Sequence, residues 1–160
     1  MNISNNVLLG ITLVAIIIAT ASIAITTNQM IGLDDEKNEA KKFYVESFVA
    51  DMLREHYVQG DSYLDVITNA QTLSKYYPFA LDFETLKITA HGEDSSLVGK
   101  TSTVLENADK PLEQIQSELK ASGSTWITYQ WEDYESKTIK TKHSYLVLSG
   151  NTILGSGYYD

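Results

Sequence analysis

Three stretches at the end of the chain decide the fold: Thr125–Trp131 (TWITYQW), Thr141–Ser149 (TKHSYLVLS) and Ile153–Asp160 (ILGSGYYD). Each is rich in β-branched and aromatic residues, which favour strands. Side chains on the first two separate into two alternating sets, as on strands with two distinct faces. Residues 149–151 (SGN) form a turn short enough to join antiparallel strands directly. The three stretches therefore predict an antiparallel meander.

The residues before the meander predict a hairpin and three helices, one of which is capped by Asp61 or Ser62 and runs through Leu73. Tyr76–Asp82 and Leu86–His91 are separated by a short turn, which is typical of a β-hairpin. Pro111 suits the first turn of a short helix. Residues 34–59 contain no Gly or Pro and repeat apolar residues at helical spacing. The predicted fold is α+β: a long helix packed on a PAS-like antiparallel sheet of about five strands.

The N-terminal segment differs in character from the rest of the chain. Residues 1–33 contain no Asp, Glu, Lys, Arg or His, so the net charge of -9 falls entirely on residues 34–160. Val7–Thr26 is apolar and, at about 1.5 Å per residue, long enough to cross a hydrocarbon core of about 30 Å. We expect 1–33 to be a membrane anchor, with one transmembrane helix leading into the domain at 34–160. A cleaved signal peptide is the alternative, although no basic residue precedes the apolar run.

Composition and motifs argue against several classes of function. A strongly acidic domain repels the phosphate backbone, so we expect no nucleic-acid partner. Without cysteine the chain has no disulfide and no thiolate metal site. The three histidines, His56, His91 and His143, lack metal-binding spacing, and no Gly-x-Ser-x-Gly elbow is present. We therefore expect no enzymatic activity, no metal and no cofactor.

A binding pocket has better support from the residues. Lys142 can offer a positive charge to a carboxylate, and Tyr129, Trp131 and Tyr145 can form the walls of a small pocket. The alternatives are core packing for each aromatic residue and an exposed strand position for Lys142. Strand alternation places Trp126 opposite Tyr129 and Lys142 opposite Tyr145. Part of this set is therefore structural, unless a bulge intervenes.

Four segments occur in an order and at a spacing that match a known family: residues 78–91 (PFALDFETLKITAH), 96–102 (SLVGKTS), 124–131 (STWITYQW) and 142–160 (KHSYLVLSGNTILGSGYYD). Together with the preceding membrane segment they resemble a single Cache domain, the PAS-like extracytoplasmic sensor module of bacterial and archaeal receptors. Receptors of that family usually continue into a second membrane helix and a signalling domain. Here the sequence stops at Asp160, so we expect a sensor without its own output module, acting through a signalling partner.

The resemblance implies a small-molecule ligand, such as an organic acid or amino acid, bound between the sheet and its covering loops. It also implies a single-pass protein of the cell membrane whose C-terminal domain is extracytoplasmic. The candidate ligand-binding residues are Tyr77, His91, Trp126, Tyr129, Trp131, Lys142 and Tyr145.

Two further interpretations remain open. The apolar stripe of helix 34–59 packs on the domain's own sheet or forms the seam of a homodimer, and both can hold for different turns of the helix. A structural or accessory subunit of a membrane or pilus-like assembly is the alternative function, since an apolar helix running into a β-rich head is also the plan of a pilin.

Overall fold

The computed structural model describes residues 34–70 and 76–160. The chain divides into two compact units, Met1–Ala40 and Lys41–Asp160. The predicted membrane segment Val7–Thr26 lies outside the described residues. Within the described ranges, no helix is both long enough and apolar enough to cross a membrane.

The second unit is built on one antiparallel sheet of five strands, which confirms the predicted fold class. The strands are β1 (Phe79–Asp82), β2 (Ile88–His91), β3 (Ser124–Asp133), β4 (Thr138–Ser149) and β5 (Thr152–Tyr159). Their spatial order is β2-β1-β5-β4-β3, so the last strand in sequence lies in the middle of the sheet. Because β5 is hydrogen-bonded on both sides, it joins the hairpin to the meander.

One face of the sheet is covered by helices near the N-terminus of the unit. Residues 34–59 are helical, and the part within the second unit, 41–59, is called α1 here. Val49 and Met52 of α1 are buried in an apolar cluster with Ala80 and Leu154 of the sheet. Helix α2 (Tyr63–Asn69) contributes two more buried residues to the same cluster. The stripe on the long helix therefore packs on its own sheet, and we call this side the helix face.

The opposite side of the sheet carries the main apolar core. Ile127 of β3 and Leu146 of β4 pack there with Ile115 and Leu119 of α3 (Leu112–Ser122). The chain between β2 and α3 also lies on this side and contributes Val104 and Leu105 to the core. We call it the cavity face, because the small cavity described below lies here.

Two glycines in β5 allow close packing on the cavity face. A Cβ at Gly155 would lie 2.6 Å from the Phe79 ring, and one at Gly157 would lie 2.4 Å from the His143 carbonyl oxygen. Real side chains do not make such short contacts, so both positions require glycine. The pairing of β5 with β4 runs without a shift in register past both of them.

The end of β5 contacts both sides of the sheet. Tyr158 belongs to the helix-face cluster around Val45, whereas Tyr159 belongs to the cavity-face core. Lys41 Nζ of α1 donates a hydrogen bond of 3.3 Å to the Tyr159 carbonyl oxygen and lies 5.0 Å from the centroid of the Tyr158 ring. One side chain of α1 therefore holds the last two residues of the central strand.

The strands of the first hairpin are shorter than the sequence predicts. β1 begins at Phe79 rather than at Tyr76, since Pro78 has no N–H to donate to a neighbouring strand. β2 begins at Ile88 rather than at Leu86, whose φ of 55° is incompatible with an extended strand. Helix α3 follows Pro111, as predicted, and ends at Gly123 with a φ of 82°.

Candidate ligand-binding site

Lys142 lies near the middle of β4 and projects to the cavity face. In the sheet it is paired with Tyr129 of β3 and with Tyr159 of β5. Because directly paired residues point to the same side, two tyrosine side chains flank the lysine. The side chain is 0% exposed. Complete burial is rare for a lysine, because its ammonium group is strongly hydrated in water.

Aromatic rings rather than carboxylates surround the amine of Lys142. Its Nζ lies 3.4 Å from the centroid of the Tyr77 ring, 5.1 Å from that of Tyr159 and 5.9 Å from that of Phe79. Within residues 34–70 and 76–160, Nζ has no hydrogen-bond partner. A desolvated cation–π contact stabilises an ammonium by about 2 kcal/mol, whereas burying the ion costs several kcal/mol.

The balance of these terms favours the neutral amine. Burial lowers the pKa of Lys142 well below its ordinary value, and the charges of Glu93 and Asp133 only partly oppose this effect. The carboxylate of Asp133 is already paired, since it accepts hydrogen bonds from Lys140 and Ser136. Lys142 is therefore an amine that lacks a counter-ion.

The tyrosine hydroxyls near Lys142 form a short chain of hydrogen bonds. Tyr159 Oη donates to the Glu132 carbonyl oxygen at 2.8 Å, so its contact of 3.2 Å with Tyr77 Oη is one in which Tyr77 donates. Tyr129 Oη pairs with Ser144 Oγ at 3.0 Å. Burial raises the pKa of Tyr159 to about 12 and also raises the pKa of Tyr77 and Tyr129. All three hydroxyls therefore remain protonated at neutral pH and can donate.

His91 ends β2 beside this cluster. Its ring centroid lies 4.8 Å from that of Tyr77 and 6.1 Å from that of Tyr134. The Asp94 N–H donates to His91 Nδ1 at 3.0 Å, which leaves the proton of the neutral ring on Nε2. Burial lowers the pKa of His91 to about 4. The imidazole is therefore neutral at physiological pH and adds no charge to the site.

A small cavity opens next to these groups. The space available to the centre of a water-sized sphere is about 20 Å³, which suits about one water molecule. Trp131 lines the cavity, and its Nε1 is a second buried donor without a partner. The lining residues are Tyr77, Phe79, Leu81, Ile88, His91, Ser102, Val104, Tyr129 and Trp131. The arrangement is an aromatic, nearly closed pocket with donors at its wall and no buried carboxylate in its lining.

The fold and the pocket can now be set beside known families. The family described as Cache domain matches residues 28–160, which is most of the chain. This chain belongs to the Cache domain family. The predicted resemblance is therefore confirmed. No curated protein matches the chain significantly.

Solved structures with similar folds include domains of chemotaxis proteins. A methyl-accepting chemotaxis protein from Vibrio parahaemolyticus RIMD 2210633 has a TM-score of 0.62 at 16% identity, with 78% of this chain and 92% of that chain covered. A periplasmic sensor domain of a chemotaxis protein has a TM-score of 0.56 at 18% identity, covering 78% and 95%. A Cache chemosensory domain studied for carboxylic acid recognition has a TM-score of 0.55 at 18% identity, covering 79% and 95%. At these identities the matches establish a shared fold.

The structure brings together five of the seven predicted site residues of this Cache domain. Tyr77, His91, Tyr129 and Trp131 line the cavity. Lys142 does not line the cavity, but its Nζ packs against the ring of Tyr77, which is a lining residue. Their role in ligand binding stays a prediction.

Trp126 and Tyr145 do not line this cavity, and their role in ligand binding also stays a prediction. Both lie on the helix face, with ring centroids 5.3 Å apart. Trp126 Nε1 donates to Glu46 Oε1 of α1 at 3.0 Å. The reason is strand alternation: with no bulge between them, Trp126 must face away from Tyr129 and Tyr145 away from Lys142.

Sequence reasoning missed Tyr159, Phe79 and Tyr134, which also surround the Lys142 amine or the rings next to it. A signal for Tyr159 was present. The two-residue turn at Gly150 and Asn151 fixes the pairing of β4 with β5, and counting back from it pairs Lys142 with Tyr159. Phe79 and Tyr134 carry no comparable signal, since each reaches the site from another strand or from a loop.

Proposed function

We propose that this Cache domain binds a short monocarboxylate on the cavity face of its sheet, with Lys142 as the charge partner. The observation that carries the proposal is the Lys142 amine, which is fully buried and has no hydrogen-bond partner. Buried polar groups in proteins are usually satisfied, and exceptions are often functional. A carboxylate would supply both the missing acceptor and the missing counter-charge. One similar structure is described as a Cache domain that recognises a carboxylic acid, which supports the same ligand class here.

The proposed ligand is small and carries a single charge. Among the described residues, Lys142 is the one basic side chain buried in the cavity-face core, so a second carboxylate would find no partner among them. Glu93 and Asp133 act on Lys142 electrostatically and would repel a second negative charge. The hydrocarbon part of the ligand would lie against Phe79, Leu81 and Ile88 of the lining. The Trp131 N–H would donate a hydrogen bond to the remaining carboxylate oxygen, and the Tyr77 hydroxyl would do so once it is released from Tyr159.

Binding requires a change in the position of Tyr77. Its ring lines the cavity and covers Lys142 Nζ at 3.4 Å, whereas Lys142 is not part of the lining. A ligand oxygen can reach Nζ only if the Tyr77 ring turns aside or the lysine adopts another rotamer. Since Tyr77 is hydrogen-bonded to Tyr159, either movement would also disturb the end of β5. This is how we propose that occupancy of the pocket becomes a conformational signal.

We also propose the wider setting of the domain. Residues 1–33 would anchor it in the membrane as a single pass, and the domain at 34–160 would lie outside the cytoplasm. The apolar run Val7–Thr26 supports the anchor, and a similar structure described as a periplasmic sensor domain supports the location. A binding role rather than a catalytic one is proposed, because the neutral pocket groups include no activated nucleophile paired with a base.

A homodimer along the long helix stays a prediction. Phe43 and Val58 of α1 are 72% and 76% exposed, so apolar surface is available there. Sedimentation of the full chain in detergent at several concentrations would test it, and a monomer throughout would contradict it.

A thermal-shift screen of the full chain in detergent tests the proposed function. Acetate and propionate are expected to stabilise the protein by about 2.7 kcal/mol at 100 times their dissociation constants, and succinate much less. Lys142→Met should abolish the shift while the variant stays folded. Lys87→Met, which removes an exposed lysine of the first hairpin, is the matched control and should keep it.

Two outcomes would contradict the proposal. If Lys142→Met binds propionate as tightly as the unmodified chain does, Lys142 is not in the site. If no acid, amine or amino acid shifts the transition and the full chain forms ordered assemblies, the structural-subunit alternative is favoured instead.

A further inference from the structure

Every element around the Lys142 amine presents a group that cannot neutralise an ammonium. Tyr129 approaches from β3, Tyr159 from β5 and Tyr77 from the segment before β1, each as a protonated phenol. His91 of β2 points an N–H rather than a lone pair toward any partner at Nε2, because Nδ1 already accepts the Asp94 N–H. Tyr134, in the turn between β3 and β4, contacts the Tyr77 and His91 rings.

The acidic groups of the neighbourhood act from a distance or are already paired. Asp133 is hydrogen-bonded to Lys140 and Ser136, and Asp94 accepts the Ser96 N–H. Glu93 influences Lys142 electrostatically, but it forms no hydrogen bond with Nζ. The buried site is therefore electrically neutral when the lysine is an amine, and it would carry an unpaired positive charge if the lysine were an ammonium.

We infer that this site takes up one proton from solvent with each carboxylate that it binds. The inference rests on the proposed function. The step balances as carboxylate plus amine plus one proton giving a carboxylate–ammonium pair, with no bond to carbon made or broken. The site then holds no net charge before binding and none after it. Entry of a carboxylate without a proton would leave a buried anion, which is the costly alternative.

Occupancy of such a site depends on the pH of the medium as well as on the concentration of the carboxylate. Between the pKa of Lys142 in the free protein and its higher pKa in the complex, affinity for the carboxylate should rise about tenfold for each unit by which pH falls. The same amount of acetate would then give a stronger response in an acidified medium. An arginine at this position could not behave in this way, because its guanidinium stays charged.

The pocket lining is consistent with this inference. The nine lining residues include no Asp, Glu, Lys or Arg, and the Nδ1 lone pair of His91, which would have to accept the proton, already accepts the Asp94 N–H. The proton therefore has one plausible destination within the described part of the site, the amine of Lys142. Burial keeps that amine deprotonated until an anion arrives.

Calorimetry of the full chain in detergent tests the inference with acetate as the probe. Titrations at one pH in buffers of different ionisation enthalpy give the number of protons exchanged from the slope of the observed heat. We expect uptake of about one proton per acetate at alkaline pH, decreasing as pH falls through the pKa of the free amine. Binding with no proton uptake and a flat pH profile from pH 6 to 10 would overturn the inference and leave the proposed function standing. Absence of binding by every carboxylate would overturn both.

A second measurement does not depend on any ligand. In protein labelled with ¹³C at the lysine ε-carbon, the Lys142 resonance is identified by its loss in Lys142→Met. Without acetate it should titrate well below the ordinary lysine range, and with saturating acetate it should remain in the ammonium form to higher pH. A Lys142 that stays protonated up to its ordinary pKa without acetate would overturn the inference, even if acetate binds.

Two variants locate the proton. His91→Asn is expected to alter affinity but to keep the uptake of one proton, and loss of the uptake in this variant would assign the proton to the imidazole and overturn the inference. Lys87→Met should leave both affinity and proton number unchanged. Lys142→Arg, if it folds and binds, should take up no proton, and a retained uptake would again place the proton elsewhere.

Discussion

The two faces of the sheet differ in how completely their polar groups are satisfied. On the helix face, the Trp126 N–H is bonded to Glu46, and His143 is bonded to both Thr128 and Asp160. On the cavity face, Lys142 and Trp131 carry the buried side-chain donors that lack partners among the described residues. Residues of β3 and β4 supply the groups on both faces. Under the proposed function, the polar groups of the helix face stabilise the fold, whereas the donors of the cavity face are available for a ligand.

The largest expected effect comes from damage to the helix face. Leu154→Ala removes a fully buried side chain packed between the sheet and α1. It should lower the free energy of unfolding by about 2–5 kcal/mol, measured by urea denaturation. Leu64→Ala is the control, since Leu64 is 51% exposed. If Leu154→Ala lowers the free energy of unfolding no more than Leu64→Ala does, packing on the helix face contributes little to stability.

On the cavity face, replacing the buried Lys142 should raise the free energy of unfolding rather than lower it. Lys142→Met should raise the free energy of unfolding by about 1–3 kcal/mol at neutral pH without ligand, since it removes a buried donor that has no partner. The folded pKa of Lys142 lies below the unfolded value of 10.5. In the window between the two, the unfolded chain holds a proton that the folded chain lacks, so wild-type stability rises with pH.

The advantage of the methionine variant should therefore shrink as pH approaches 10.5. Urea denaturation of both proteins at several pH values measures this difference. A variant that is less stable than the wild type at every pH would mean that the amine is satisfied by a partner, and the contrast between the faces would not hold.

The two tryptophans of β3 provide a matched pair for the same comparison. Trp126→Phe loses the hydrogen bond to Glu46 and should cost about 0.5–1.5 kcal/mol without changing ligand affinity. Trp131→Phe loses only a weak polar interaction with Tyr134, so it should leave stability nearly unchanged while weakening carboxylate binding. Urea denaturation and thermal shift with propionate measure the two effects. If the two variants change stability and propionate binding to the same extent, the two faces of the sheet do not differ in role.

The smallest expected effect concerns His91 at the edge of the cavity. Its folded pKa of about 4 lies below the model-peptide value of 6.5. As pH falls from about 6.5 toward about 4, the unfolded chain takes up a proton first, so this residue reduces stability over that range. NMR titration of the His91 ring should give a midpoint near 4, and His91→Asn should flatten this part of the stability profile. A midpoint near 6.5 would mean that water reaches the ring freely.

Much of the fold could be predicted because local signals agreed with the global arrangement. The turn at Gly150 and Asn151 joined two strands, Pro111 preceded a helix, and the spacing of Val45, Val49 and Met52 gave a helix with one apolar stripe. The strand starts in the first hairpin could not be predicted. Leu86 adopts a positive φ because of its setting between the turn and Lys87, and no propensity of leucine indicates that.

The candidate site was predictable to the extent that it depends on strand alternation. Alternation separates Trp126 and Tyr145 from Lys142, and the register of the last turn points to Tyr159. Strand alternation cannot show that Lys142 is fully buried, because burial depends on the segment that covers the strand. The position of Tyr77 over the amine depends on a side chain distant in sequence, so it required the structure.

The end of β5 has a mechanical consequence. Tyr158 and Tyr159 are consecutive, so their rings project to opposite sides of the sheet, and Lys41 of α1 is bonded to the peptide carbonyl that follows them. A small rotation of the strand about its own axis would swing the two rings in opposite directions, one away from the pocket and the other toward the helix. Gly155 and Gly157 lie just before this point, where the absence of Cβ atoms reduces steric resistance to such a twist. A twist at the end of β5 would therefore move the Tyr159 ring and, through the hydrogen bond to Lys41, also displace α1.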